Sequence, residues 1–346
     1  MNTADSSSAQ SAPPKYTRRQ FGALALAAGA VAAGGWWARR SIKEASFDAQ
    51  TFIHRVMSYE GDLRAPLLAG LKELGVESSE IKGKKILLKP NLVEPHAQAR
   101  HINTHPLLIR AAVEAFLSLG AAQVAVAEGP GHRTDTLLVL DESGLAEVLA
   151  EDKIHFIDLN YDSGLIVPNR TMLTKMATLT FPRSISEFDW LVSMPKMKTH
   201  HWVGVTLSMK NLFGLMPGIF YGWPKNVFHM HGIENSILDI NTAVSPQFAI
   251  VDGIVGMDGD GPIMGDAKNA GVIVMGRNAA SVDATAARVM GIDPLQVPYI
   301  AAAPKLKLGP VEEGLIEQRG EAIAKVRTDF RIIDQVAQHF TGMRLS

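Results

Sequence analysis

Two periodicities alternate along this chain. Short apolar runs closed by Gly, Pro or Asn have the pattern of buried strands, and apolar positions spaced three and four apart have the pattern of helices. Strand patterns fall at Lys84–Lys89, Gln123–Ala127, Ile154–Asp158, Trp190–Met194, Phe248–Val251 and Gly271–Met275. Thr104 or His105, ahead of Pro106, opens a helix that runs to about Leu119 and is stopped by Gly120. Further helices are predicted near Asp141–Leu149 and over Val203–Phe213, Ile233–Ala243 and Ser281–Met290, with Asp283 in the first turn of the last. Such repeated alternation predicts an α/β fold, a mostly parallel sheet with helices on both faces. Gly164–Pro182 reads as a β excursion able to form a small cap, and Pro304–Arg327 as an irregular tail before a C-terminal helix. The organisation expected is a leader over residues 1–45, an N-terminal extension over 46–83, an α/β body over 84–300 and a tail over 301–346. The body reads as one elaborated domain, with a two-lobed arrangement as the alternative.

Composition narrows the class. With 47% hydrophobic and 20% charged residues the chain is globular, neither disordered nor polytopic. Residues 1–45 carry a net charge of +4, which leaves −5 on the rest out of an overall −1. A body that acidic gives no reason to expect nucleic-acid binding. Cysteine is absent, so disulfides, thiolate nucleophiles and thiolate-ligated iron–sulfur clusters are excluded. Thr17-Arg18-Arg19-Gln20-Phe21 followed by an Ala/Gly/Leu run to Trp37 resembles a twin-arginine export signal. It predicts a periplasmic or otherwise exported protein, with the twin-arginine machinery as a partner. The run falls short of the roughly 20 residues that span a bilayer. Ala30-Val31-Ala32 offers a cleavage site, whereas Trp36-Trp37-Ala38-Arg39-Arg40 suits an uncleaved anchor, so membrane contact is expected only through this segment.

Candidate chemistry gathers where strands end, the usual place for ligands in open α/β sheets. Lys89-Pro90-Asn91, Glu128-Gly129-Pro130-Gly131-His132-Arg133, Lys196-Met197-Lys198-Thr199-His200-His201 and Asp252-Gly253 each follow a strand pattern. From Trp190 to Ile233 there is no acid, yet Lys196, Lys198, Lys210 and Lys225 stand among residues that belong in a core. Buried ammonium groups need anionic partners. Lys196 and Lys198 are therefore candidates to hold a small carboxylate or phosphate, or, with a lowered pKa, to act as a base. Lys89, Asn91 and the backbone at Gly129 would assist from neighbouring strand ends. His200 suits a proton shuttle or metal ligand, and Glu128 and Asp252 suit acid–base groups or metal ligands. His229-x-His231 fits two ligands on one side of an extended segment, or a pair of loop histidines. Asp258-Gly259-Asp260-Gly261 fits a hard-cation loop or a turn capped by aspartates.

These motifs resemble a known family. Lys89-Pro90-Asn91-Leu92-Val93, Thr104-His105-Pro106, Glu128-Gly129, Met194-Pro195-Lys196-Met197-Lys198-Thr199-His200 and Gly204-Val205-Thr206-Leu207-Ser208-Met209-Lys210-Asn211-Leu212-Phe213-Gly214 are similar to the family called domain of unknown function 362, over roughly Lys84–Gly291. Asp252-Gly253, Gly276-Arg277-Asn278 and Asp283 are similar to its later landmarks. The resemblance implies no agreed reaction. Many relatives carry iron–sulfur modules, from which a chain without cysteine departs. It adds Lys210 and Asn211 to the candidate site. The expectation is an exported enzyme with a lysine-rich anion site (catalytic candidates Lys196, Lys198, His200 and Glu128), with a divalent metal at Asp252, His229, His231, Asp258 or Asp260 if any. The alternative is a non-catalytic binding or maturation protein that uses the same groove.

Overall fold

The computed structural model describes residues 50–131 and 135–334. The twin-arginine-like leader, His132-Arg133 of the glycine-rich stretch and the predicted C-terminal helix lie outside them. Among the described residues no helix is long and apolar enough to cross a membrane.

The strands are β1 Gln50–Arg55, β2 Lys85–Pro90, β3 Gln123–Glu128, β4 His155–Asp158, β5 Gly164–Pro168, β6 Thr178–Pro182, β7 Trp190–Met194, β8 Lys196–His200, β9 Gly204–Thr206, β10 Phe248–Asp258, β11 Asp266–Lys268, β12 Val272–Gly276 and β13 Glu317–Gly320. The main sheet runs β13-β1-β12-β10-β7-β2-β3-β4. Strands β10, β7, β2, β3 and β4 are mutually parallel. The antiparallel β12 sits between β10 and β1. This is the mostly parallel α/β sheet expected, and β5–β6 form the separate two-stranded excursion.

Strand alternation sends side chains to two helical layers. Ile86, Leu88, Val124, Val126, Val192 and Ile250 share one buried cluster with helices α1 (Arg64–Glu73) and α2 (Pro106–Ser118). Helix α2 forms because Leu108, Ile109, Ala112, Val113 and Phe116 make one apolar stripe, and Pro106 presets its first turn. Its N-cap is His105, whose Nδ1 accepts from the Leu107 amide at 3.3 Å. Phe116, fully buried against the edge of Trp190, contributes several kcal/mol, and its loss to alanine would cost about 3–5 kcal/mol. On the opposite face stand α3 (Ser208–Asn211), α4 (Ile233–Ala243) and α5 (Ala279–Val289).

Several local expectations are corrected. Val203–Phe213 is not one helix. The β-branched Val205 and Thr206 join β9, which folds back on β8, and Gly204 turns there at φ 83°. Helix α3 follows as a single turn. Lys196–His200, expected as the segment that follows the Trp190–Met194 strand, is itself strand β8, because β10 continues to Asp258 and pairs with it. Gly253 and Gly256 permit that approach: a Cβ on either would strike Met197. The helix near Asp141–Leu149 is broken in two at Gly144, φ 76°. Asn278 caps α5 through the Ser281 amide (2.9 Å), which places Asp283 beyond the first turn.

Candidate functional site: a lysine cluster at the strand ends

The parallel strands β2, β3, β7 and β10 deliver Lys89, Glu128, the Pro195–Lys198 segment and Asp252 to one end of the sheet. There the lysines separate into two kinds.

Lys89 and Lys196 are fully engaged with carboxylates. Lys89 Nζ donates to Glu128 Oε2 (2.5 Å), the Pro90 carbonyl (2.8 Å) and Asn211 Oδ1 (3.2 Å), which uses all three protons. Glu128 also accepts from the Leu92 and Gly129 amides. Asn211 returns Nδ2 bonds to the Lys89 carbonyl and Ser193 Oγ. Gly214 presses directly on this pair, where a Cβ would collide with Glu128 Oε1 and Lys89 Nζ. Gly129 is likewise packed against the Gly214 carbonyl and Asn160.

Lys196 Nζ donates to Asp252 Oδ2 (2.6 Å) and the Tyr59 hydroxyl (2.8 Å), and Tyr59 donates to Asp252 Oδ1 (2.8 Å). The His105 amide completes Asp252 at 3.0 Å, and its ring stacks on Tyr59 at 3.7 Å. Burial pushes the Tyr59 hydroxyl well above its ordinary pKa, with the Asp252 charge adding to it, so Tyr59 is a committed donor. Burial also lowers His105 to about 4 and keeps it neutral. For both lysines burial lowers the pKa and the carboxylate partner opposes it.

Among the described residues Lys198 and Lys210 have no such partners. Lys198 is 0% exposed, yet its ammonium meets only the Pro262 carbonyl at 3.1 Å and forms no salt bridge among the described residues. Burial drives it well below 10.5, and the charges of Lys196 and Lys210 lower it further. Thr206 stands directly opposite Lys198 in the β8–β9 register, so the two side chains share a face. Among the described residues its buried hydroxyl has no hydrogen-bond partner, and neither does Asn91 Oδ1. Lys210 Nζ lies 4.0 Å over the Phe213 ring, with burial lowering its pKa to about 8. His200, 4% exposed, accepts the Trp202 amide at Nδ1 (3.1 Å). Burial, then Lys210, His201 and Lys198, hold it well below 6.5, so it is neutral.

The remaining candidates are dispersed. Asp258 pairs with Arg331 at 3.4 Å and Asp260 lies 3.0 Å from His201 Nδ1, so both aspartates of the glycine loop already have side-chain partners in this chain. His229 lies beside Trp202 and Phe213, and His231 is exposed. Among the described residues no three His, Cys, Asp or Glu side chains stand close enough to hold a metal.

Tyr59 and Trp202 were not singled out from the sequence, and Lys225 and Thr206 entered only through the acid-free block and the family motif, not as site candidates. Lys225 is buried and bonds Asn160 Oδ1 (3.0 Å) and the Met216 carbonyl; burial lowers its pKa to about 7. It and Trp202 lay in the acid-free block, a usable signal. Nothing local marks Tyr59.

The sheet and its strand-end lysines thus define an α/β protein with a buried cationic site. Residues 86–288 match the family described as domain of unknown function (DUF362), and the chain belongs to that family. It is 27% identical over 267 residues to the thylakoid-associated protein sll1697 of Synechocystis sp., across 74% of this chain and 79% of that protein. Two solved structures are more distantly similar. One is a Thermotoga maritima protein (TM-score 0.38, 14% identity, 65% of this chain and 58% of that one). The other is the lactate racemase apoprotein of Thermoanaerobacterium thermosaccharolyticum (TM-score 0.39, 17% identity, 65% and 54%). The matched regions span little more than half the length of those two chains.

Proposed function

We propose that this protein is an enzyme that binds a small carboxylate or phosphate between Lys198 and Lys210 and moves a proton through the Lys198 amine. The observation that carries this reading is Lys198 itself: a fully buried ammonium with one carbonyl partner, beside a buried hydroxyl with none. Unpaired buried charges and unsatisfied buried polar groups each cost free energy, and a bound anion would satisfy both at once. Lys210, near 8, is largely charged at neutral pH and attracts the anion, while Lys198, whose pKa is lowered by burial and the neighbouring lysines, gains a proton as the anion opposes that shift. A Lys198 amine that takes up a proton as the anion binds is placed to pass that proton to the ligand as a general acid. Until that transfer the ammonium rests against the negative charge of the bound anion. Lys89, Glu128, Asn211, Lys196, Asp252 and Tyr59 hold the strand ends in place for it.

The test is titration calorimetry with acetate and inorganic phosphate at pH 7, repeated in buffers of different ionisation enthalpy. Binding with net proton uptake, lost in Lys198→Ala and weakened at least tenfold in Lys210→Ala, is expected. Binding that is indifferent to both substitutions would overturn the reading. Lys198-dependent turnover of a bound carboxylate or phosphate separates an enzyme from a binding protein. Export through Arg18-Arg19-Gln20-Phe21 is proposed on the sequence alone, and Arg18→Lys with Arg19→Lys should retain the protein in the cytoplasm.

A further inference from the structure

Resting on the anion reading above, we infer that the anion is borne on a planar aromatic or heteroaromatic ring, and that this ring lies against Trp202. The Trp202 indole is 56% exposed although Val203 and Val205 beside it are fully buried. Its orientation is held by His201 (4.5 Å between ring centres, 75°), His229 (5.4 Å, 72°) and His200 (6.0 Å, 47°). His229 in turn stands 6.2 Å from Phe213, the ring that carries the Lys210 ammonium. Rings therefore lead from solvent at Trp202 to the ammonium at Lys210, and His200 lies within the fields of Lys198 and Lys210. An exposed indole braced edge-on by His201 and His229 offers a flat apolar surface beside a cationic site. A ligand that pairs an acidic group with a planar ring fills both, whereas a small aliphatic acid leaves the indole uncovered.

The experiment compares matched anions by titration calorimetry on the full chain: acetate with benzoate, and inorganic phosphate with phenyl phosphate. Each is measured on the wild type, Trp202→Ala and Lys198→Ala. Ring contacts of this kind are worth up to about tenfold in affinity. The wild type is expected to prefer each ring-bearing anion by about tenfold. Trp202→Ala, a substitution at an exposed position, should cut that preference below about threefold while acetate and phosphate bind as before, and Lys198→Ala should lose all four. Equal affinity for plain and ring-bearing anions, or a preference that survives Trp202→Ala, overturns the ring inference and leaves the anion reading standing. Failure of the wild type to bind any of the four overturns both.

Discussion

Lys198→Met is expected to make the folded protein more stable, where the corresponding change at Lys89 makes it less so. Both side chains are buried almost completely, at 0% and 1% exposed. Lys89 answers Glu128 at 2.5 Å with every proton used, so its removal strands a buried carboxylate, at a cost of about 3–5 kcal/mol. Among the described residues Lys198 has no carboxylate to strand. Methionine of similar length removes the desolvation cost and leaves only the Pro262 carbonyl short of one donor. Replacement of an ill-compensated buried charge by an apolar side chain is typically neutral or stabilising by about 1–4 kcal/mol. The pH dependence is fixed in sign. A lysine with a depressed folded pKa binds fewer protons folded than unfolded, so its penalty is complete below the folded pKa and is relieved as pH rises towards 10.5. The advantage of Lys198→Met should therefore shrink with rising pH across that window, by at most about 1.4 kcal/mol per pH unit. Urea unfolding of wild type, Lys198→Met and Lys89→Met from pH 6 to 10 measures this. A Lys198→Met protein destabilised as much as Lys89→Met, or an advantage that grows with pH, would refute the reasoning.

Gly214→Ala forces a methyl group into the Lys89–Glu128 pair and should destabilise the fold by about 1–3 kcal/mol, read from the urea midpoint. Tyr59→Phe removes the hydroxyl shared by Lys196, Asp252 and the Val255 amide, with an expected loss of about 1–3 kcal/mol in the same assay. On the acid side, His105 and His200 stay neutral when folded but protonate when unfolded. Stability conferred by His105 is thus lost as pH falls from 6.5 to about 4, and His105→Gln should flatten that slope.

Much of the sheet was legible because strand and helix periods differ. Ile233–Ala243 and Trp190–Met194 were read with the bounds they have in the fold. The failures lie where tertiary pairing overrides local pattern. The Lys196–His200 segment carries no strand period, and it becomes β8 only because β10 runs past Asp252 to meet it. Val203–Phe213 shows apolar spacing that suits a helix, yet Gly204 and its β-branched neighbours turn it back onto β8. Charge patterning located the lysine cluster, since four lysines in an acid-free stretch of core residues needed explanation. It could not separate Lys89 and Lys196, engaged by Glu128 and Asp252, from Lys198 and Lys210, which are not. That distinction depends on partners from distant strands and on Tyr59, 137 residues from Lys196.

The state of Lys198 is the point on which all of this turns. Lysine side chains labelled at Cε and followed by carbon NMR report each ammonium's titration, and the resonance absent from Lys198→Met assigns the residue. The expected result is a Lys198 signal that titrates well below 10.5 and whose titration moves upward on addition of a binding anion. A Lys198 signal that titrates near 10.5, with or without anions, would contradict the site proposed here.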